Sequence, residues 1–91
     1  MLYLLISTPH PSRPEDVKGA RLEFRSWIGR LKAENKVVCF YPRAGRGSVV
    51  ILELASNDEL HEIMTEWSNI VPVAFDVYPL ATPAQAEELL K

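Results

Sequence analysis

VVCFYPRAGRGSVVILEL, residues 37–54, is the stretch whose reading decides the fold. Val37–Tyr41 is β-branched and aromatic and predicts a strand, which Pro42 stops because proline has no N–H to give to a ladder. Arg43-Ala44-Gly45-Arg46-Gly47 carries two glycines within a short polar run, the composition of a hairpin connection. Ser48–Leu54 predicts the returning strand. A hairpin in the middle of a short chain leaves room for one strand and one helix on either side.

Upstream, Leu2–Ser7 is a run of apolar residues that ends at Thr8-Pro9-His10-Pro11, where prolines exclude both helix and ladder. Ser12-Arg13-Pro14-Glu15 fits a capping box, with Ser12 as N-cap and Glu15 at N3. Val17, Ala20, Phe24, Ile28 and Leu31 then recur at three- and four-residue steps, which predicts an amphipathic helix to about Glu34. Downstream, Ser56-Asn57-Asp58-Glu59 is a second capping box, and Leu60, Ile63, Met64 and Trp67 form the stripe of a second helix. Val71–Tyr78 predicts the fourth strand, with Val73, Phe75 and Val77 on one face and Ala74, Asp76 and Tyr78 on the other. Thr82-Pro83-Ala84-Gln85 starts a short C-terminal helix.

The order is βαββαβ plus a terminal helix, an α+β chain. Right-handed crossovers place both long helices on one face of an antiparallel sheet, and a ferredoxin-like arrangement is the simplest closed solution. The 91 residues predict a single domain spanning 1–91. A chain of that length buries only roughly 60–65% of its unfolded surface, so it is marginal alone.

The strands are apolar on both faces. Leu2, Leu4 and Ile6 oppose Tyr3 and Leu5, and Val49 and Ile51 oppose Val50, Leu52 and Leu54. Two helices cover one face; the other exceeds the apolar patch a monomer tolerates. The expectation is a homodimer or a larger ring in which a second sheet packs against it. In the alternative, the C-terminal helix folds under the sheet within one chain.

Net charge is −2 with no basic run, which argues against nucleic acid and anionic membrane as partners. The lone Cys39 excludes an internal disulfide and a multi-thiolate metal site, and points to the cytoplasm. Met1–Ile6 is too short and too poor in basic residues to read as a signal or anchor. No glycine-rich loop opens a helix and the two histidines are remote, so neither nucleotide nor metal is called for. Trp27, Trp67 and Cys39 read as packing residues, and His61 as a surface histidine.

The functional candidates are few. His10, in an extended loop after the first strand, is an acid or base by type. Arg43 and Arg46 flank a glycine turn where guanidinium groups and backbone amides suit a carboxylate. Tyr41 is a donor to a ligand oxygen.

Met1-Leu2-Tyr3 at the start, then Glu53-Leu54-Ala55-Ser56, Glu59-Leu60-His61, Pro72, the strand 74–77, Leu80 and Pro83 follow in an order that resembles the muconolactone isomerase-like family of the dimeric α+β barrel superfamily. The resemblance implies a cofactor-free isomerase that shifts a proton in a small unsaturated lactone or carboxylic acid, working as a ring of dimers with its pocket between sheet and helices. It implies a base at Glu23, followed by Arg25, where that family keeps acidic and basic residues. The second strand departs from the family's histidine- and tryptophan-rich pattern, so the pocket lining differs. The same fold also accommodates a non-catalytic ligand-binding or assembly module, or a cofactor-independent monooxygenase.

Overall fold

The computed structural model describes residues 1–11 and 13–90, without the side chains of Pro14 and Glu15. The elements run β1 (Leu2–Pro9), a 3-10 turn (Pro14–Val17), α1 (Lys18–Ala33), β2 (Val37–Pro42), β3 (Ser48–Glu53), α2 (Asn57–Ile70), β4 (Val73–Leu80) and α3 (Pro83–Glu88). One four-stranded antiparallel sheet has the order β2-β3-β1-β4. This is the ferredoxin-like α+β architecture expected from the element order.

Register sorts the side chains. Tyr3 pairs with Leu52 and Leu5 with Val50, and these four face the helices with almost no exposure. Trp27, Ile28 and Leu31 of α1 and Ile63 and Trp67 of α2 close over them. Each large apolar side chain so buried contributes about 1.5–3 kcal/mol relative to leaving it in water. Just past the end of α1, the left-handed φ of 61° at Asn35 lets the Lys36 N–H reach the Leu31 carbonyl at 3.0 Å.

Three local expectations need adjustment. The helix begins with a 3-10 turn behind Arg13, and Ser12 with the Glu15 side chain lies outside the described residues. At α2 the Ser56 hydroxyl accepts from the Glu59 N–H at 3.2 Å, but the reciprocal arm of the box is not formed. The Glu59 carboxylate lies instead 3.9 Å from the Lys36 ammonium, which also binds Glu34 at 3.1 Å. Finally, β4 starts at Val73 because Val71 still belongs to the end of α2, its N–H donating to Trp67 O at 2.9 Å.

The outer sheet face carries Leu2, Leu4, Ile6, Val49 and Ile51, all half-buried, with Tyr41 and Tyr78 67% and 52% exposed. α3 does not cover it. That helix has a complete Thr82–Gln85 capping box yet buries none of its residues, and Leu89 and Leu90 beyond it are 87% and 88% exposed. The apolar outer face therefore has no cover within the described protomer. None of the described helices is long and apolar enough to cross a membrane.

Candidate functional site

At the end of the sheet where β1 and the β2–β3 turn meet α1, a cleft of about 150 Å³ opens between sheet and helices. Its floor is aromatic: Phe24 from α1, Phe40 from β2 and Trp67 from α2. The Trp67 ring centroid lies 4.9 Å from that of Phe24 and 5.0 Å from that of Phe75, while Phe24 and Phe40 are 6.0 Å apart. These tilted and edge-on pairs pack the floor rings against one another, each adding about 0.5–1.5 kcal/mol beyond area burial.

The polar part of the lining has one sign. Arg21 and Arg25 come from α1, and Arg43 and Arg46 from the β2–β3 turn. Four of the ten basic residues of an acidic chain thus converge on one cleft, and its described lining holds no carboxylate and no histidine. Spacing explains the α1 pair: residues 21, 24 and 25 share one face of a helix, so Arg21, Phe24 and Arg25 line the cleft together. Neither Arg21 nor Arg25 forms an ion pair with another described residue.

The turn is fastened to β1. Gly47, at φ +97°, sits so close to β1 that a Cβ there would lie 2.3 Å from the Ser7 carbonyl oxygen. That proximity lets Arg43 reach across: its Nη1 donates to Ser7 O at 3.1 Å and Thr8 Oγ1 at 2.8 Å, and its N–H closes the turn on Gly47 O at 2.9 Å. Ser7 and Ser48, register partners on β1 and β3, also line the cleft. They are 2% and 4% exposed, and their hydroxyl oxygens lie 2.8 Å apart.

Of the residues singled out from sequence, Arg25, Arg43 and Arg46 fall on the cleft. Glu23 is exposed on α1 and is not among the lining residues, since it lies about 100° around the helix from Phe24 and about 200° from Arg21 and Arg25. Tyr41 is displaced for a different reason. A register irregularity at Val38 leaves Phe40 opposite Val50 on the helix-facing side, so Tyr41, opposite Val49, lies on the outer face away from the cleft. His10 is exposed and is not among the lining residues, although it directly follows the lining residue Pro9; its N–H donates to Pro72 O at 3.3 Å. Cys39 shares the outer face with Ile51.

Arg21, the aromatic floor and the serine pair were not foreseen. The serines had a signal: on β1 and β3 the helix-facing phase runs Tyr3, Leu5, Ser7 and Ser48, Val50, Leu52, so a hydroxyl interrupts both apolar rows at one end.

A second, larger trough runs along the outside of α1 and α2, past Glu34, Lys36, Glu59, Glu62 and Glu66. Several of its polar groups are engaged with one another: Trp27 Nε1 donates to Glu66 at 2.9 Å, and Lys36 pairs with Glu34 and Glu59. The Glu34 hydrogen bond raises the Lys36 pKa above its ordinary value, against an opposing effect of burial. Among the described residues no group of three His, Cys, Asp or Glu side chains is placed to hold a metal ion.

Among solved structures, the chain is similar to the 5-chloro-2-hydroxyhydroquinone dehydrochlorinase of Burkholderia phenoliruptrix AC1100, determined in complex with 2,5-dihydroxybenzoquinone. Identity is 20%, the TM-score is 0.64, and the match covers 92% of this chain and 97% of the other. That likeness is one of fold: the neighbour shares the α+β architecture of this chain, and the likeness does not extend to the muconolactone isomerase family. No curated protein matches the chain in sequence. The model of a family described as a domain of unknown function, DUF3303, matches residues 1–91, and the chain belongs to that family.

Proposed function

We propose that this protein takes a small, ring-sized organic anion into the cleft, holding its carboxylate or enolate-type oxygen on arginine head groups and its ring on Phe24, Phe40 and Trp67. The observation that carries this reading is the convergence of four arginines from two separate elements on an aromatic floor with no carboxylate in the described lining. Like charges brought together repel, and a low-dielectric floor strengthens that repulsion and equally strengthens attraction to an incoming anion. Guanidinium groups give bidentate, charge-assisted hydrogen bonds to carboxylates. An apolar cavity of roughly 150 Å³ accepts a benzene-sized ring, which sets the size class. The neighbour's bound 2,5-dihydroxybenzoquinone is itself a planar ring rich in oxygen.

The outer sheet face completes the proposal. Its apolar, uncovered surface supports pairing with a second copy, as the name of the dimeric α+β barrel architecture implies for the fold.

A proton shift of the lactone-isomerase type needs, in addition, a base within hydrogen-bond reach of the ligand. Arginines supply the other half, stabilisation of the enolate that forms. His10 supports this second reading, because Pro9 lines the cleft and the His10 N–H is tied to Pro72 between the lining residues Val71 and Val73. Glu23 is given no part in it.

Calorimetric titration separates the anion reading from a generic apolar pocket. Benzoate is expected to bind and its neutral isostere benzamide to bind at least about tenfold more weakly, since a hydrogen bond to a charged group is worth about 1.5–3 kcal/mol. Arg25→Gln should weaken benzoate by a similar factor and leave melting within about 0.5 kcal/mol, as an exposed helix position allows. Equal binding of benzoate and benzamide would remove the anion from the account.

A further inference from the structure

We infer that the Ser7–Ser48 pair is the specificity-determining element of the cleft, and that the preferred ligand is a single-ring hydroxy- or oxo-carboxylate rather than a plain ring acid. The inference rests on the anion reading above and names the class of anion.

The argument is a count of protons. Ser48 N–H donates to Ser7 Oγ at 3.0 Å, and the two hydroxyl oxygens lie 2.8 Å apart, a distance that uses one hydroxyl proton. One hydroxyl proton is left. If Ser7 holds it, its one acceptor within the protein is Ser48 O at 3.5 Å, well beyond the usual length of an O–H···O bond. If Ser48 holds it, the hydroxyl has no described acceptor other than Ser7, and both residues line the cleft. A donor that is nine-tenths or more buried and so weakly used is an expensive feature of an apolar core face. Valine or alanine in the same phase would continue the rows formed by Leu5 and Val50.

Position makes the spare donor useful. The serines stand on the sheet wall beside the fixed Arg43 guanidinium, which is bonded to the Ser7 carbonyl. Arg21 and Arg25 stand on the α1 wall. A ring whose carboxylate meets the α1 arginines can thus turn a second oxygen, phenolic or carbonyl, toward the serine hydroxyl and Arg43. Sites built to hydrogen-bond a ligand oxygen discriminate against the analogue lacking it, because the buried donor is then left unmet.

The test titrates benzoate, 3-hydroxybenzoate and 4-hydroxybenzoate into the wild type, Ser7→Ala and Ser48→Ala. The wild type is expected to bind the better hydroxy acid about tenfold more tightly than benzoate. In each serine variant that ratio should fall toward one while benzoate affinity changes less than about threefold. A purely structural serine would lower all three affinities together and keep the ratio, which overturns the inference. A wild-type ratio near one overturns it without any variant, so a variant that fails to fold does not protect it. If benzoate binds no better than benzamide, the anion reading itself falls and this inference with it.

Discussion

Gly47→Ala is expected to destabilise the protein by about 3 kcal/mol, which lowers the melting temperature of a domain this size by roughly 12–24 °C. Two costs combine. A φ of +97° is a conformation that side-chain-bearing residues rarely adopt, and a Cβ there would meet the Ser7 carbonyl oxygen at 2.3 Å. That oxygen is backbone in one of the two central strands, so relief requires β1 or the turn to move. Gly45→Ala is the internal control. Its φ is +90°, but a Cβ would have nothing within 4 Å. It should therefore lose only the conformational part, roughly 1–2 kcal/mol. Equal losses in the two variants, measured by thermal or urea unfolding, would contradict the close approach of the turn to β1. Gly47→Ala should also weaken ligand binding, because the Arg43 bonds to Ser7 and Thr8 depend on the same approach.

Under the proposed pairing of outer faces, Ile51→Asp is expected to give single protomers without unfolding the protein. Ile51 pairs with Leu4 on one side and Cys39 on the other, which puts it at the middle of the outer face. Within the protomer it is only half-buried, so a carboxylate there remains hydrated. Under a second sheet the same carboxylate would be stripped of water with no described cation across from it, at a cost of several kcal/mol. Light scattering should give a multiple of the protomer mass for the wild type and a single protomer for the variant. Circular dichroism should be unchanged. A monomeric wild type, or a variant of unchanged mass, would contradict pairing of the outer face with a second copy.

Element order was legible in the sequence because it depends on local chemistry. The Pro42 stop, the Gly45 and Gly47 turn and the helical stripes ending in Leu31 and Trp67 each act within a few residues of themselves. What was not legible depends on register or on convergence. The irregularity at Val38 has no mark in a run of β-branched and aromatic residues, yet it decides that Phe40 and not Tyr41 meets the cleft. Glu59 reads as a capping partner, but Lys36 arrives from elsewhere in the fold to share its carboxylate. The site shows the same division. Arg43 and Arg46 stand out beside a turn, whereas Arg21 joins the cleft lining only once α1 is laid over the end of β1. Glu23, next to Arg25 in sequence, is carried off the cleft by the helical rotation between neighbours.

Where a ring anion binds is the most direct test of the account, and amide chemical-shift mapping during a titration with benzoate and 4-hydroxybenzoate reads it out residue by residue. The predicted result is saturable shifts at the Gly45, Gly47 and Ser48 amides and at the Trp67 indole, with Glu62 and Asn69 in the outer trough and Leu2 and Ile51 in β1 and β3 unmoved. Shifts confined to the trough or to the outer face, or none at any concentration that saturates other anion sites, would contradict the assignment of the arginine-lined cleft as the binding site.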